Sequence, residues 1–448
     1  MWYVLSVHIC RCRGGYCSHS AEGTRGRARF NQRRRRPSLI YIYMSLALTN
    51  VCGGVTRHVV RRHANGSRLQ FSRLSSLRRM SAASSAAAAA VRPAAAAGSG
   101  GEGNSSAGGE PAFRFGLMAD IQYTDTDDRC NHTGTQWRRY RNSLQVATRA
   151  VEYFNKHELD FVIHNGDIID HQCAFDFDAD AFKPKSEGLK QLGDVMRILS
   201  KAKCEDWIFT IGNHELYNFT RDELRDGVLS PGASLPFKCA NRAGEFYYSF
   251  QPAPGWRVLV LDSYDVSIYA KGREQGLDVE ALELLCRHND NCAEWVRENP
   301  SVVHTERMSG TFPYFKNLEG LNNRWVPFNG GIGDAQLSWM KEELAGAAAA
   351  DERVMLFSHL LIHPETTSNG SGRTLLWNYD KVLAALEDPR WSHVVSAVVS
   401  GHQHEGGLHT TACGTHFVVM ESPMLAMPDK PGPYAVVEAH GEEEEGSM

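Results

Sequence analysis

The chain has 448 residues, 42% hydrophobic and 10% aromatic, enough for a large core in one or a few domains. Its net charge of -4 is unevenly spread: residues 1–101 carry 17 arginines, no lysine and one acidic side chain, Glu22, so they stand near +16 and the remainder near -20. An acidic body repels a phosphate backbone, which argues against nucleic-acid binding and agrees with divalent cations, and no run reaches the roughly 18 apolar residues needed to span a bilayer.

Residues 1–110 are expected to lie outside the fold as a disordered basic extension. They run from "NQRRRRPSLIYIYMSLAL" to "SAASSAAAAAVRPAAAAGSGGEGNSSAGG", an Ala/Gly/Ser tract that cannot bury a core. An Arg- and Ser-rich, acid-poor segment fits an organellar transit peptide. A mis-set start, with Met44 or Met80 as the natural first residue, fits equally well. A secretory signal fits less, because Arg33–Arg36 lie far from the terminus. The expected location is the cytoplasm, or a plastid or mitochondrion if the extension is a transit peptide. Residues 441–448 read as an acidic tail. Eleven cysteines without a CxxC pair read mostly as reduced thiols.

From 111 to 440 the pattern is α/β. Phe113–Ala119 is the first expected strand. Leu144, Ala147, Val151 and Phe154 then share one helical face. Phe161–His164 is a strand, Leu189, Leu192, Met196 and Leu199 form a second helical face, and Trp207–Ile211 and Arg257–Leu261 are strands. Residues 263–329 read as a long irregular insertion. Leu337, Met340 and Leu344 mark a third helix, followed by strands Val354–Phe357 and Val394–Ser400.

The residues after these strands carry the chemistry. Asp120-Ile121-Gln122 follows the first, Asp167 follows "FVIHNG", and Asn213-His214 follows "WIFTIG". His359 follows "VMLFS", and His402-Gln403-His404 follows "VVSAVVSG". α/β sheets place ligand crevices at the carboxyl ends of their strands. A lone histidine there is usually a hydrogen-bonded loop residue. Five endings with compatible donors select a metal site, and mixed Asp, Asn, Gln and His suit Mn, Fe(II), Zn or Mg.

The set D-x-[HQ], GD, GNH[ED], a downstream His and GHxH resembles the calcineurin-like metallophosphoesterases over about 330 residues. The resemblance implies a four-layer α/β/β/α sandwich with two divalent ions on one rim. It assigns Asp120, Gln122, Asp167 and His404 to one ion. Asp167, Asn213, His359 and His402 go to the other, so that Asp167 bridges, and His214 is the catalytic imidazole outside both sets.

"FGLMADIQYTD", "GNHELYNF", "FNGGIGDAQLSWM", "LLWNYDKV" and "GHQHEGG" narrow the resemblance to the manganese-dependent ADP-ribose/CDP-alcohol diphosphatases. That branch implies a monomer acting on a small nucleoside diphosphate derivative, with two Mn ions, or Mg, Fe(II) or Zn in their place. Gln122, where most relatives have His, donates less charge and favours Mn or Mg over Zn. Gln403 stands where many relatives have Asp, at a position that is not a ligand. A purple acid phosphatase is disfavoured because Asp170 occupies the position of that branch's Tyr ligand. Rival readings are a cyclic-nucleotide phosphodiesterase, a phosphomonoesterase, or a non-catalytic scaffold on the same fold. The scaffold should have lost ligands, and none is lost.

Softer candidates have plainer alternatives. Gly330–Gly333 is either a phosphate-binding turn or an ordinary turn into a helix. Tyr123, Tyr217 and Tyr264 either stack on a base or pack. Asp125, Asp127 and Asp128 form an acidic turn that reads as solvated. Asn131, Asn218 and Asn369 begin glycosylation sequons, and a glycan on Asn218 would crowd His214.

Overall fold

In the strand Phe113–Met118, Phe113, Phe115 and Leu117 face one hydrophobic cluster and Met118 another. That is the two-residue period of a strand buried on both sides. The same split recurs wherever the chain is extended. Val258, Val260, Met355, Phe357, Ala397 and Val399 point into the cluster that holds Phe113, whereas Leu259, Val354, Leu356 and Val398 point away from it. Two sheets therefore pack face to face around a core of Phe115, Phe161, Phe250, Trp256 and Phe357. Their outer faces are covered by helices that bury Val146, Ala147, Leu192, Val195, Met340 and Leu344. This is the four-layer sandwich expected. The computed structural model describes residues 2–8, 39–45 and 110–441, except 132–133, 178, 180, 228, 230–236, 242–244, 306–307 and 309–311.

In the first sheet, Phe113–Met118, Phe161–His164 and Trp207–Phe209 run parallel. Tyr434–Ala439 returns antiparallel beside Phe113–Met118. Two strands of the basic extension are an addition to the sequence reading: Leu39–Ser45 pairs with Tyr434–Ala439, and Trp2–His8 pairs with Leu39–Ser45. The other expectations for residues 1–109, and for the acidic tail from 442 on, lie outside the described residues. In the second sheet Trp256–Val260, Arg353–Phe357, Val395–Ser400 and His416–Glu421 are parallel. Antiparallel strands flank them, with Tyr248–Gln251 and Lys238–Asn241 on one side and Glu405–Thr410 on the other.

Two readings need correction. Leu189 is 55% exposed and Met196 half-buried; the helix Lys185–Leu199 buries Leu192 and Leu199 as expected, with Gln191 and Val195 beside them. Gln191 is admitted because its Oε1 accepts from Asp125 N at 2.8 Å and Cys173 Sγ at 3.2 Å. The segment 263–329 is not simply irregular. It holds helices Val279–His288 and Asp290–Glu298, each N-capped by a side chain, Asp278 and Asn289.

Candidate metal centre

Asp120, Asp167 and Asn213 follow parallel strands of the first sheet, and His359 and His402 follow parallel strands of the second. The two groups meet. Asp167 Oδ2 lies 3.2 Å from His359 Nε2, and the His402 N–H donates to the Asp120 carboxylate at 3.0 and 3.1 Å.

Glycine makes this approach feasible. A Cβ on Gly212 would overlap the Asp167 side chain and its amide, and one on Gly401 would lie 2.5 Å from Asp120 Oδ2. The backbone is also bent for it. Eight described non-glycine residues have positive φ, and four of them are Asp120, Gln122, Asp167 and His402, at 50°, 42°, 59° and 62°. Each left-handed L-residue costs about 1–2 kcal/mol, and such strain collects where a site requires it. Loop hydrogen bonds offset it: Asp120 N to Gly166 O and Gln122 N to Asp167 O, each 3.0 Å.

Around the first expected set, the Gln122 amide nitrogen lies 2.9 Å from Asp167 Oδ2 and 3.0 Å from His404 Nε2, and His404 Nε2 lies 3.8 Å from Asp120 Oδ1. Gln122 Oε1 is buried without a partner. Rotating the amide by 180° turns its oxygen toward the same point as Asp167 Oδ2 and His404 Nε2. That gives three lone-pair donors facing one spot.

The second set has an equivalent signature. Asp167, His359 and His402 each offer a donor atom, all within 4.8 Å of one another. His359 Nδ1 lies 2.8 Å from the Asn165 carbonyl, which fixes a proton on Nδ1, so Nε2 is the nitrogen that presents a lone pair once its own proton is displaced. That Nε2 stands at ion-pair distance from Asp167 Oδ2 without hydrogen-bond alignment. Asn213 is held by the Tyr264 hydroxyl, which donates to its Oδ1 at 3.0 Å.

His214 stands beside both sets. Its backbone N–H donates to Asp167 Oδ1 at 2.9 Å, and its Nδ1 accepts from the His171 N–H at 2.8 Å. In the neutral ring the proton is therefore on Nε2, 3.8 Å from Asp167 Oδ2. Asp170 Oδ2 lies 3.6 Å from Nδ1. The adjacent Glu215 is buried and accepts from three backbone N–H groups, Asp167 and Gly212 at 2.8 Å and Ile168 at 2.7 Å, so one carboxylate ties both strand-end turns together.

The electrostatics favour ligand chemistry. Burial lowers His402 to about 3 and His404 well below its ordinary value, so both rings are neutral donors. Burial alone would raise Asp167, but His359 and His214 hold it well below the usual carboxylate range. Asp120 is pushed well above that range by burial and by Asp167, against His359. His359 is raised to about 10, the Asp167 charge outweighing burial. Buried carboxylates facing neutral imidazoles, with Gln122 Oε1 and His359 Nε2 unpartnered, fit a pair of divalent cations.

Sequence reasoning missed several supports. Asn329 is fully buried, and its Oδ1 lies 3.0 Å from His402 Nε2. Asn165 carries the carbonyl that meets His359, and Asp170, Glu215 and Tyr264 act as above. Asp170, Glu215 and Asn329 lie inside or beside strings already singled out, Asn329 as the second residue of "FNGGIGDAQLSWM", but nothing in those strings assigns Asn329 to a histidine. Other candidates fall away. Tyr264 is fully buried and Tyr123 is 7% exposed, so neither offers a free stacking face. The N–H groups of Gly331, Ile332 and Gly333 are taken by Val266 O, Asn378 Oδ1 and Asp265 Oδ2, so Gly330–Gly333 is a structural turn. Asp125 and Asp127 pair with Arg141 at 2.6 and 2.7 Å. Asn218 is buried, its amide donating to His214 O at 2.8 Å, which leaves no room for a glycan. No helix among the described residues is long and apolar enough to cross a membrane.

Residues 113–406 match the calcineurin-like phosphoesterase family. An Arabidopsis thaliana manganese-dependent ADP-ribose/CDP-alcohol diphosphatase is 34% identical over 331 residues, covering 74% of this chain and 91% of that protein. The Mus musculus protein of the same name is 32% identical over 331 residues, covering 71% and 86%. Among solved structures, a dimetal phosphatase from Danio rerio is 30% identical with a TM-score of 0.61, covering 74% of this chain and 94% of that one. The strand-end carboxylates, amides and imidazoles thus sit in a sandwich whose sequence match extends across both sheets, and the chain belongs to the calcineurin-like phosphoesterase family.

Proposed function

We propose that this protein is a manganese-dependent hydrolase of the diphosphate bond in ADP-ribose and CDP-alcohols, releasing a nucleoside monophosphate and ribose 5-phosphate or a phospho-alcohol. The observation that carries the proposal is the convergence of Asp120, Gln122, Asp167 and His404, and of Asp167, Asn213, His359 and His402, with His214 left outside both sets. The relatives that match most of the chain carry that activity in their names.

When bound, two divalent ions polarise the phosphoryl oxygens and lower the pKa of an attacking water. Asp167, central to both sets, is the bridging ligand in this reading. Asn165, Glu215 and Asn329 hold donors in place. Burial lowers His214 to about 4 despite Asp167 and Asp170 beside it, so at neutral pH the ring is uncharged with Nε2–H facing the ligands. That state suits a hydrogen-bond donor to the reacting phosphoryl oxygens, more than a proton donor to the leaving group.

The test is a side-by-side assay of the full chain in Mn2+ or Mg2+ with ADP-ribose, CDP-choline, cyclic AMP and p-nitrophenyl phosphate. The diphosphates are expected to be turned over fastest. Much faster turnover of cyclic AMP or of the monoester would refute the assignment.

A further inference from the structure

We propose that Arg138 is a substrate-binding residue that receives the second phosphoryl group of a diphosphate, the group that departs when the anhydride bond breaks. The inference rests on the diphosphatase reading above and deepens it.

Arg138 ends a short hairpin in which Trp137–Arg138 pairs with Arg129–Cys130. Its neighbours pin the hairpin over the site. The Gln136 side chain donates to Glu405, the residue after His404. Arg139 donates from its backbone N–H to Met424 O at 2.8 Å and from Nη1 to Leu425 O at 3.0 Å. The segment it grips begins at Ser422, whose Oγ donates to Asp120 O at 2.7 Å and whose N–H donates to His404 O at 3.0 Å. Arg138 thus lies between two anchors that lead directly to Asp120 and His404.

The arginines of "RRYR" are used differently. Arg139 is spent on carbonyls, and Arg141 on Asp125 and Asp127. Arg138 is half-buried, and its Nε is enclosed with no hydrogen-bond partner in the protein. An enclosed donor without a partner is costly, and an anion bound to the guanidinium would offset that cost. Its positive charge acts on Asp170, His214 and His404, lowering each, in keeping with the hairpin anchors that lead to Asp120 and His404.

Geometry and chemistry then agree on the ligand. The candidate ion ligands face one phosphoryl group. The second has to lie beyond them, beside the imidazole. When the bridging oxygen leaves with its electron pair, negative charge builds on that second phosphate. A planar guanidinium on an anchored hairpin matches a phosphate's oxygens better than an ammonium does.

Calorimetry on the Mn2+-loaded full chain tests the proposal with two probes: α,β-methylene-ADP, which carries two phosphoryl groups and resists cleavage, and AMP, which carries one. Arg138→Gln should weaken α,β-methylene-ADP by about 10–100-fold, the worth of a charge-assisted hydrogen bond, and AMP far less. In Arg138→Ala, added guanidinium ion should restore part of the lost kcat/KM on ADP-ribose. Arg138→Lys serves as a folded comparison and should recover part of the affinity. An equal loss with both probes, or no loss with either, overturns the proposal. Failure of the parent enzyme to cleave either diphosphate would defeat the diphosphatase reading instead, and the two binding constants would still decide whether Arg138 holds a second phosphate.

Discussion

His402 Nε2 lies 3.0 Å from Asn329 Oδ1, and this contact decides which nitrogen of the imidazole faces Asp167 and His359. Both amide hydrogens of Asn329 are already used, one on Arg324 O at 2.9 Å and one on Arg373 O at 2.8 Å. Only its oxygen remains, so His402 has to donate from Nε2 and present the Nδ1 lone pair. Asn329→Ala should therefore weaken the ion held by His402 by about 10–100-fold, the usual cost of losing an outer partner of a ligating histidine. Equilibrium dialysis with Mn2+ would show one weakened site and one little changed. Two unchanged sites would remove Asn329 from this role.

His214→Ala is expected to retain its metal while turnover falls by about 10²–10³-fold, the usual cost of losing one hydrogen-bond donor to the reacting oxygens. Metal analysis alongside steady-state kinetics checks this. Stoichiometric loss of an ion would make His214 a ligand and contradict the orientation set by the His171 N–H.

The His359–Asp167 pair gives a pH signature. His359 is raised from its ordinary 6.5 to about 10, chiefly by the Asp167 charge working against burial. In the ion-free protein the pair's stabilisation is complete below pH 6.5 and is lost as pH rises through about 10. Ion binding has to displace that proton, so affinity runs the other way, with the logarithm of the binding constant rising by about one per pH unit through this window. Calorimetry in buffers of different ionisation enthalpy should detect at least one proton released per chain at pH 8.

Two glycines provide a matched comparison. A Cβ on Gly212 collides with Asp167, whereas one on Gly193, in the helix Lys185–Leu199, meets nothing within 4 Å. Gly212→Ala should lose about 1–3 kcal/mol of stability from overpacking, together with bound Mn2+. Gly193→Ala should gain about 0.4–1 kcal/mol by restricting the unfolded chain. Denaturant melts of both variants, with metal content, would check the pair.

Much of this architecture was legible in the sequence because it is local. "FVIHNGD" and "IFTIGNHE" are continuous apolar runs ending in glycine and a polar donor. The β-branched or aromatic residues fix the strand, and the glycine is required by close approach. Tyr434–Ala439 carries the β-favouring Tyr434, Val436 and Val437, whereas Glu405–Thr410, with two glycines and an exposed face, carries little strand signal. Their pairing comes from neighbours far away in the chain. The positive φ at Asp120, Gln122, Asp167 and His402 is likewise invisible in residue type. Asn329 is 73 residues from His402, and no spacing rule links them. Leu189 faces solvent although it is apolar, whereas Gln191 is inside through its hydrogen bonds.

The account depends most on Asp167 joining two cation sites, and metal stoichiometry tests that directly. The purified full chain, dialysed against Mn2+ and measured by inductively coupled plasma mass spectrometry, is expected to hold two ions per molecule. Asp167→Asn should hold fewer than one. A parent protein that binds no stoichiometric divalent ion, or an Asp167→Asn variant that keeps two, would contradict it.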